Sequence, residues 1–209
     1  MREGDPIVLF SGKGGEHAGR ILRLSREGVC VQVGNLDPVE RESPLQITLV
    51  QAISAGDRMD LTLQKAVELG VAAIQPILAE RSVVRLKGDR SDSRREHWQR
   101  VAVAACEQCG RNRVPPVAAP VALADYRAPE TALKLLLAPA GISSMRSCGA
   151  SAGTPIVLAA GPEAGFSPRE EAMLVSAGFS PVRLGPRVLR TETAGPAAIA
   201  ALNALYGDS

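Results

Sequence analysis

Beyond Ser43-Pro44 the sequence predicts an α/β domain built on a mostly parallel sheet. Three observations predict it. Short apolar runs bounded by turn residues, Leu133–Ala138 and Ile156–Ala160 among them, have the length and continuity of strands buried on both faces. Segments with helical periodicity alternate with these runs. One helix start is complete: Ser167-Pro168-Arg169-Glu170 supplies a cap, a proline at the first helical position and a capping-box glutamate.

The elements follow in order. Residues 1–43 read as a separate β module, with strands expected at Pro6–Phe10, Gly19–Leu24 and Val29–Val33 and a glycine-rich turn at Ser11–Gly15. Three strands alone bury little core. Residues 44–209 form the second domain. Ile47–Ala52 reads as a buried strand. Asp57 caps a helix running to Leu69, with Gly70 just past its end. Ala73–Leu78 reads as a strand that Pro76 is expected to end or bulge. Arg94 to about Gly110 is helical, with Val101, Ala102, Ala105 and Cys106 on its apolar face. Pro181–Leu184 is a further strand, and an alanine-rich helix spans Thr191–Tyr206 before Gly207. No repeat of solenoid period is present.

Composition narrows the function. Of 209 residues, 45% are hydrophobic and 22% charged, which suits an ordinary globular chain with a packed core. The formal charge is only +2, so no global polyanion-binding signal exists. One Trp, two Tyr and three Phe argue against a base-stacking sheet of the RNA-recognition type. The first residues lack the apolar core of a secretory signal, and no apolar run is long enough to span a bilayer. A reduced cytoplasmic protein without membrane association is expected. Cys106 and Cys109 form a C-x-x-C, but no second pair follows and both lie inside a helical pattern, so no metal is expected.

Two loops carry the candidate chemistry. Gly161-Pro162-Glu163-Ala164-Gly165-Phe166 follows a strand and precedes the Ser167-capped helix, where glycines permit close backbone approach to a ligand. Alone it also reads as a mere tight turn. Leu184–Ala194 is a second post-strand loop, combining Gly185-Pro186, Arg187, Arg190 and Thr191-Glu192-Thr193. A capped connection explains Gly185 and Thr191 but not Arg190 and Glu192 together. A third feature is basic: residues 81–113 hold eight Arg and Lys87 against four acidic residues. A solvated helix face and a phosphate-contact surface both explain it.

These segments resemble the ribosomal RNA small subunit methyltransferase E family of the SPOUT (α/β-knot) superfamily. Gln64–Gly70 is similar to its Lys-x-x-Glu-Leu-Gly helix, Glu80-Arg81-Ser82 to its Glu-Arg-Ser turn, and Ala105–Arg111 to its Glu-Gln-x-x-Arg helix. Gly161–Phe166 and Leu184–Ala194 resemble its two signature loops, with Ala164 where the family carries glycine. The likeness covers residue 45 to the C-terminus and, more loosely, the start.

The resemblance implies methylation of N3 of a uridine in 16S rRNA of the small ribosomal subunit, with S-adenosylmethionine as cofactor. It implies a deep trefoil knot, a homodimer, and an N-terminal PUA-like β-barrel that binds RNA and is cut short at the start of this chain. The cofactor loops map to the turn after Leu137, to Gly161–Gly165 after Ala160, and to Leu184–Thr191, including Gly185, Leu189 and Arg190. On chemical grounds Leu184, Gly185 and Leu189 suit an adenine. Arg190 is the first candidate to stabilise a uridine N3 anion. Glu163 or Glu192 is the candidate proton acceptor, and each equally reads as a structural ligand to backbone amides. Arg81, Arg94, Arg95 and Arg111 are the candidate RNA contacts. The rivals are another SPOUT methyltransferase acting on tRNA or a different rRNA site, a non-catalytic RNA-binding assembly protein of this fold, and a Rossmann oxidoreductase. The absence of G-x-G-x-x-G weighs against the last.

Overall fold

A computed structural model describes residues 1–84, 89–141 and 143–208. Arg85 and Lys87 of the basic stretch lie outside the described residues. The chain divides into two compact units, Met1–Glu42 with Cys106–Val114, and Ser43–Ala105 with Pro115–Ser209.

In the first unit β1 (Pro6–Leu9), β2 (Glu16–Ser25) and β3 (Gly28–Asp37) form an antiparallel sheet in the order β1-β2-β3. β2 and β3 run longer than the apolar runs that predict them. Backbone pairing carries the ladder through polar residues such as Arg20 opposite Gln32, with irregularities between His17 and Gly19 and between Ile21 and Arg23. Residues 106–114 join this unit through side chains. Arg111 is paired with Glu42, Asn112 Nδ2 donates to Val39 O at 2.7 Å, and Arg113 Nε donates to Glu40 at 2.6 Å. A split into two contiguous segments does not anticipate this return.

The second unit is a parallel sheet with helices on its faces. Its elements are β4 (Gln46–Ala52), α1 (Arg58–Glu68), β5 (Ala73–Leu78), β6 (Val121–Ala122), β7 (Leu133–Leu137), β8 (Ser143–Ser144), β9 (Pro155–Ala160), α3 (Pro168–Ser176), β10 (Ser180–Arg183) and α4 (Thr191–Tyr206). Helix α2 spans Asp89–Cys109 and begins earlier than its apolar face predicts. The strand order is β6-β5-β4-β9-β7-β10-β8, and the pairings are parallel. β4 and β9 lie at the centre and are almost wholly buried, which is why β9 reads as an unbroken apolar run and β4 as an apolar run broken by Thr48 and Gln51.

Each sheet face has its own helices. On one, Val50, Ala52, Leu136, Val157 and Phe166 pack with Leu174 of α3. On the other, α4 comes close enough to β4 that a Cβ on Gly195 would lie 3.2 Å from Leu49 Cδ1. The buried Asn203 of α4 fixes the chain around it: it accepts from Ser43 Oγ at 2.7 Å and donates to Leu69 O at 2.7 Å.

Pro76 neither ends nor bulges β5. Gln75 Nε2 donates to Pro76 O at 2.8 Å and Ala119 O at 2.9 Å, and this amide bridges the stretch where proline offers no N–H. The two-residue edge strands β6 and β8 carry no periodicity for a sequence to reveal.

Candidate functional site

The carboxyl ends of β7, β9 and β10 converge on a cavity of about 300 Å³. This is where parallel α/β sheets hold ligands. Of the residues expected to hold a cofactor, Leu137, Gly161, Gly165, Leu184, Gly185, Leu189 and Thr191 line it. Ala160 lies fully buried at the end of β9 just before it. Arg190 does not line the cavity. Its side chain is 85% exposed, with Nη1 3.9 Å from Glu192 Oε1. Pro139, Phe166, Val182, Arg187 and Val188 add to the walls, and the candidate acceptor Glu163 lines them too. A larger hollow of about 530 Å³ beside Leu78, Leu123 and Met173 contains none of the expected residues.

The glycines shape the slot. A Cβ on Gly161 would stand 3.1 Å from Phe166 N and 3.3 Å from the Gly165 backbone, so any larger residue forces the loop open. Gly185 has φ +113°, a conformation that L side chains rarely adopt. No described non-glycine residue has positive φ. Ala164 therefore keeps an ordinary backbone, and the left-handed residue of its turn is Gly165.

Hydrogen bonds then tie the loops together. Thr191 Oγ1, at the start of α4, donates to Gly161 O at 2.8 Å. Gln51 Nε2 of β4 donates to Thr191 Oγ1 at 3.2 Å. The Ser167–Glu170 capping box forms as the sequence predicts. Glu170 Oε1 also accepts from Glu80 N at 2.7 Å.

The two candidate proton acceptors differ. Glu163 Oε1 accepts from Ala55 N at 3.1 Å and Arg58 Nη1 at 3.0 Å. Partial burial raises its pKa, but backbone N–H groups and the Arg58 guanidinium outweigh that and hold the carboxyl below its ordinary value. Glu163 is thus a poor proton acceptor and a good loop anchor. Glu192, in the first turn of α4, has a side chain only 12% exposed beside Arg190.

The candidate RNA contacts also separate. Arg94 and Arg95 are exposed on α2. Arg81 is not a free cation: Nη1 donates to Ala164 O at 3.2 Å and Phe166 O at 3.3 Å, bracing the loop after β9. Arg111 is a clear correction. Its side chain is 5% exposed and paired with Glu42, so it is withdrawn from any phosphate. Burial opposes its charge, and the Glu42 carboxylate more than restores it, raising its pKa. The nearby C-x-x-C is structural. Burial pushes the Cys106 thiol up to about 11, and Cys109 Sγ lies 3.9 Å from Cys106 O. Among the described residues no side-chain cluster is placed to hold a metal, and no helix is long and apolar enough to cross a membrane.

Sequence reasoning missed Gln51, Arg58 and the bracing role of Arg81. Each acts on a residue 80 or more positions away, and no local pattern marks such a pair.

Residues 41–203, which hold the parallel sheet and the slot at its carboxyl edge, match a family model described as an RNA methyltransferase domain. Fold and site therefore define an RNA methyltransferase. The chain is 32% identical, over its whole length and 83% of the relative, to ribosomal RNA small subunit methyltransferase E of Buchnera aphidicola subsp. Acyrthosiphon pisum. The chain belongs to the ribosomal RNA small subunit methyltransferase E family. The Neisseria gonorrhoeae structure of that name, bound to S-adenosylmethionine, superposes with a TM-score of 0.92 at 43% identity, covering all of this chain and 86% of that one. A Legionella pneumophila methyltransferase in complex with the same cofactor gives 0.95 at 40% identity with the same coverage.

Proposed function

We propose that this chain transfers a methyl group from S-adenosylmethionine to N3 of a uridine in 16S rRNA, uridine 1498. The observation that carries this reading is the slot itself: three loops at the ends of adjacent parallel strands, tied by the Thr191–Gly161 hydrogen bond and opened to close approach at Gly161, Gly165 and Gly185. Its mixture of apolar side chains (Leu137, Leu184, Leu189) and exposed backbone suits an adenine and a ribose. S-adenosylmethionine, when bound, supplies an electrophilic methyl on its sulfonium.

The chain's residues prepare the acceptor. Uridine N3 must lose its imide proton before it can use its lone pair. The guanidinium of Arg190, exposed beside the slot, stabilises the resulting anion at O2 or O4. Glu192 is the better acceptor for the proton, since Glu163 is held in its pair with Arg58. The N3 lone pair then forms the new N–C bond as the S–C bond breaks. The exposed Arg94 and Arg95 contact phosphates. The antiparallel sheet of the first unit belongs to a PUA-like RNA-binding barrel, and the loops of the slot belong to a trefoil knot. The working form is a cytoplasmic homodimer acting on the 30S subunit.

The test is methyl transfer to 30S subunits from a strain lacking the activity, with primer extension to map the product. N3 methylation blocks base pairing, so a single new stop at that uridine is expected. No incorporation, or a stop elsewhere, overturns the reading.

A further inference from the structure

We propose that Gln51 is a positioning residue for the cofactor slot: acting through Thr191, it sets the gap between the loop after β9 and the start of α4. The inference rests on the reading of that slot as an S-adenosylmethionine site.

Gln51 lies on the central strand β4 and is fully buried. It shares a sheet face with Ile47 and Leu49, beneath α4. Burying an amide there costs stability unless each polar atom is bonded. The amide is only half satisfied. Nε2 donates to Ala52 O at 3.0 Å and to Thr191 Oγ1 at 3.2 Å, which uses both of its hydrogens. Oε1 has no partner among the described residues. The space around it is left by Gly195, whose Cβ, if present, would stand 3.3 Å from that oxygen.

The direction of the relay is determined by chemistry. Thr191 has one hydroxyl hydrogen, and it is donated to Gly161 O. The same hydroxyl can therefore only accept from Gln51. An apolar side chain of similar volume would remove the orphaned oxygen and suit this core better. The amide nevertheless stands at the one point of β4 from which a donor reaches the hydroxyl joining two walls of the slot. Polar groups that weaken a core locally are a mark of functional sites. Without the donor, the Thr191 hydroxyl is free to rotate, Gly161 O loses a fixed partner, and the two walls separate.

The test compares the full chain with Gln51→Leu, Gln51→Glu and Thr191→Val, measuring Tm, calorimetric Kd for S-adenosylmethionine, steady-state methyl transfer and amide exchange at 161–166 without cofactor. Gln51→Leu is expected to keep or raise Tm, to weaken cofactor binding by about tenfold, and to raise KM for the cofactor while leaving kcat near the parent's. Amide exchange at 161–166 should quicken. Adding Gln51→Leu to Thr191→Val should change affinity no further. In Gln51→Glu a carboxylate draws the Thr191 proton away from Gly161. Its deficit relative to the parent should shrink on acidification, when the protonated acid regains one donor. Parent-like affinity and exchange in Gln51→Leu overturns the proposal. So does a Gln51→Leu chain that unfolds, which assigns the glutamine to the core, or a Gln51→Glu deficit independent of pH. A parent chain that binds no cofactor overturns the reading of the slot instead, and exchange at 161–166 still reports on the relay.

Discussion

Glu163 and Arg58 meet at 3.0 Å, and with Ala55 N on the same carboxylate oxygen they pin the loop after β9 to the start of α1. The glutamate of the glycine-rich loop is thereby an anchor rather than a base. Its folded pKa is depressed, so the anchor's contribution is present above the ordinary carboxylate pKa and lost as pH falls through the lower folded value. Cofactor affinity is expected to decline in acid below the usual carboxylate range. Glu163→Gln should bind several-fold more weakly at neutral pH and lose that acid limb, as a calorimetric pH series reads out.

Two glycine substitutions probe the walls of the slot. Gly161→Ala places a methyl 3.1 Å from Phe166 N and has backbone on every near side, so the loop must open. Gly185→Val has free space but a φ of +113° that a β-branched residue rarely adopts. Both should lower cofactor affinity by at least about tenfold, equivalent to about 1.4 kcal/mol, with circular dichroism unchanged. Normal affinity in both would place the cofactor elsewhere.

Arg190 is held at the rim by its backbone, its carbonyl accepting from Thr193 N and Ala194 N at 2.9 Å, while its exposed side chain has, among the described residues, only Glu192 beside it at 3.9 Å. Arg190→Ala should lose methyl transfer and keep cofactor affinity. Arg190→Lys should recover little, because a point charge does not reproduce the guanidinium fork. Raising the pH should partly rescue the alanine variant, as more uridine ionises unaided. Near-normal turnover at neutral pH would make Arg190 structural.

The exposed pair Arg94 and Arg95 and the buried Arg111 are expected to fail differently. Arg94→Glu with Arg95→Glu should weaken RNA binding and lower the salt slope by about one unit for each lost phosphate contact. Arg111→Met removes one partner of a buried ion pair and strands Glu42. That change should cost about 3–5 kcal/mol of stability in chemical denaturation, with no change in the salt slope.

The parts of this molecule that a reader of the sequence can find are those with short-range causes. β4, β7 and β9 announce themselves because burial demands predominantly apolar side chains along each strand. The helix at Pro168 does so because its capping box is complete within four residues. The slot loops are visible through Gly161, Gly165 and Gly185, whose placement answers backbone geometry alone. The relations between these parts are not visible. Gln51 reaches Thr191 across 140 positions, and Arg58 reaches Glu163 across 105. The basic stretch shows a second limit: a run of arginines reports local charge but not which members face inward. Arg111 turns inward because its counter-ion lies 69 positions upstream.

The neighbouring places of β4 and β9 in the sheet have a consequence for synthesis. β4 ends at Ala52, and its partner begins at Pro155, about 100 residues later. At about 5–20 residues per second, a ribosome takes several seconds or more to supply that partner. Through this interval one edge of an apolar strand has no mate, and pairings so distant in sequence form slowly even when available. Nascent chains should therefore depend on a chaperone that binds exposed apolar segments until β9 emerges. Interruption of translation before β9 should leave aggregation-prone fragments rather than a smaller folded domain. An enzyme that modifies ribosomes would then depend on their unbroken elongation for its own central sheet.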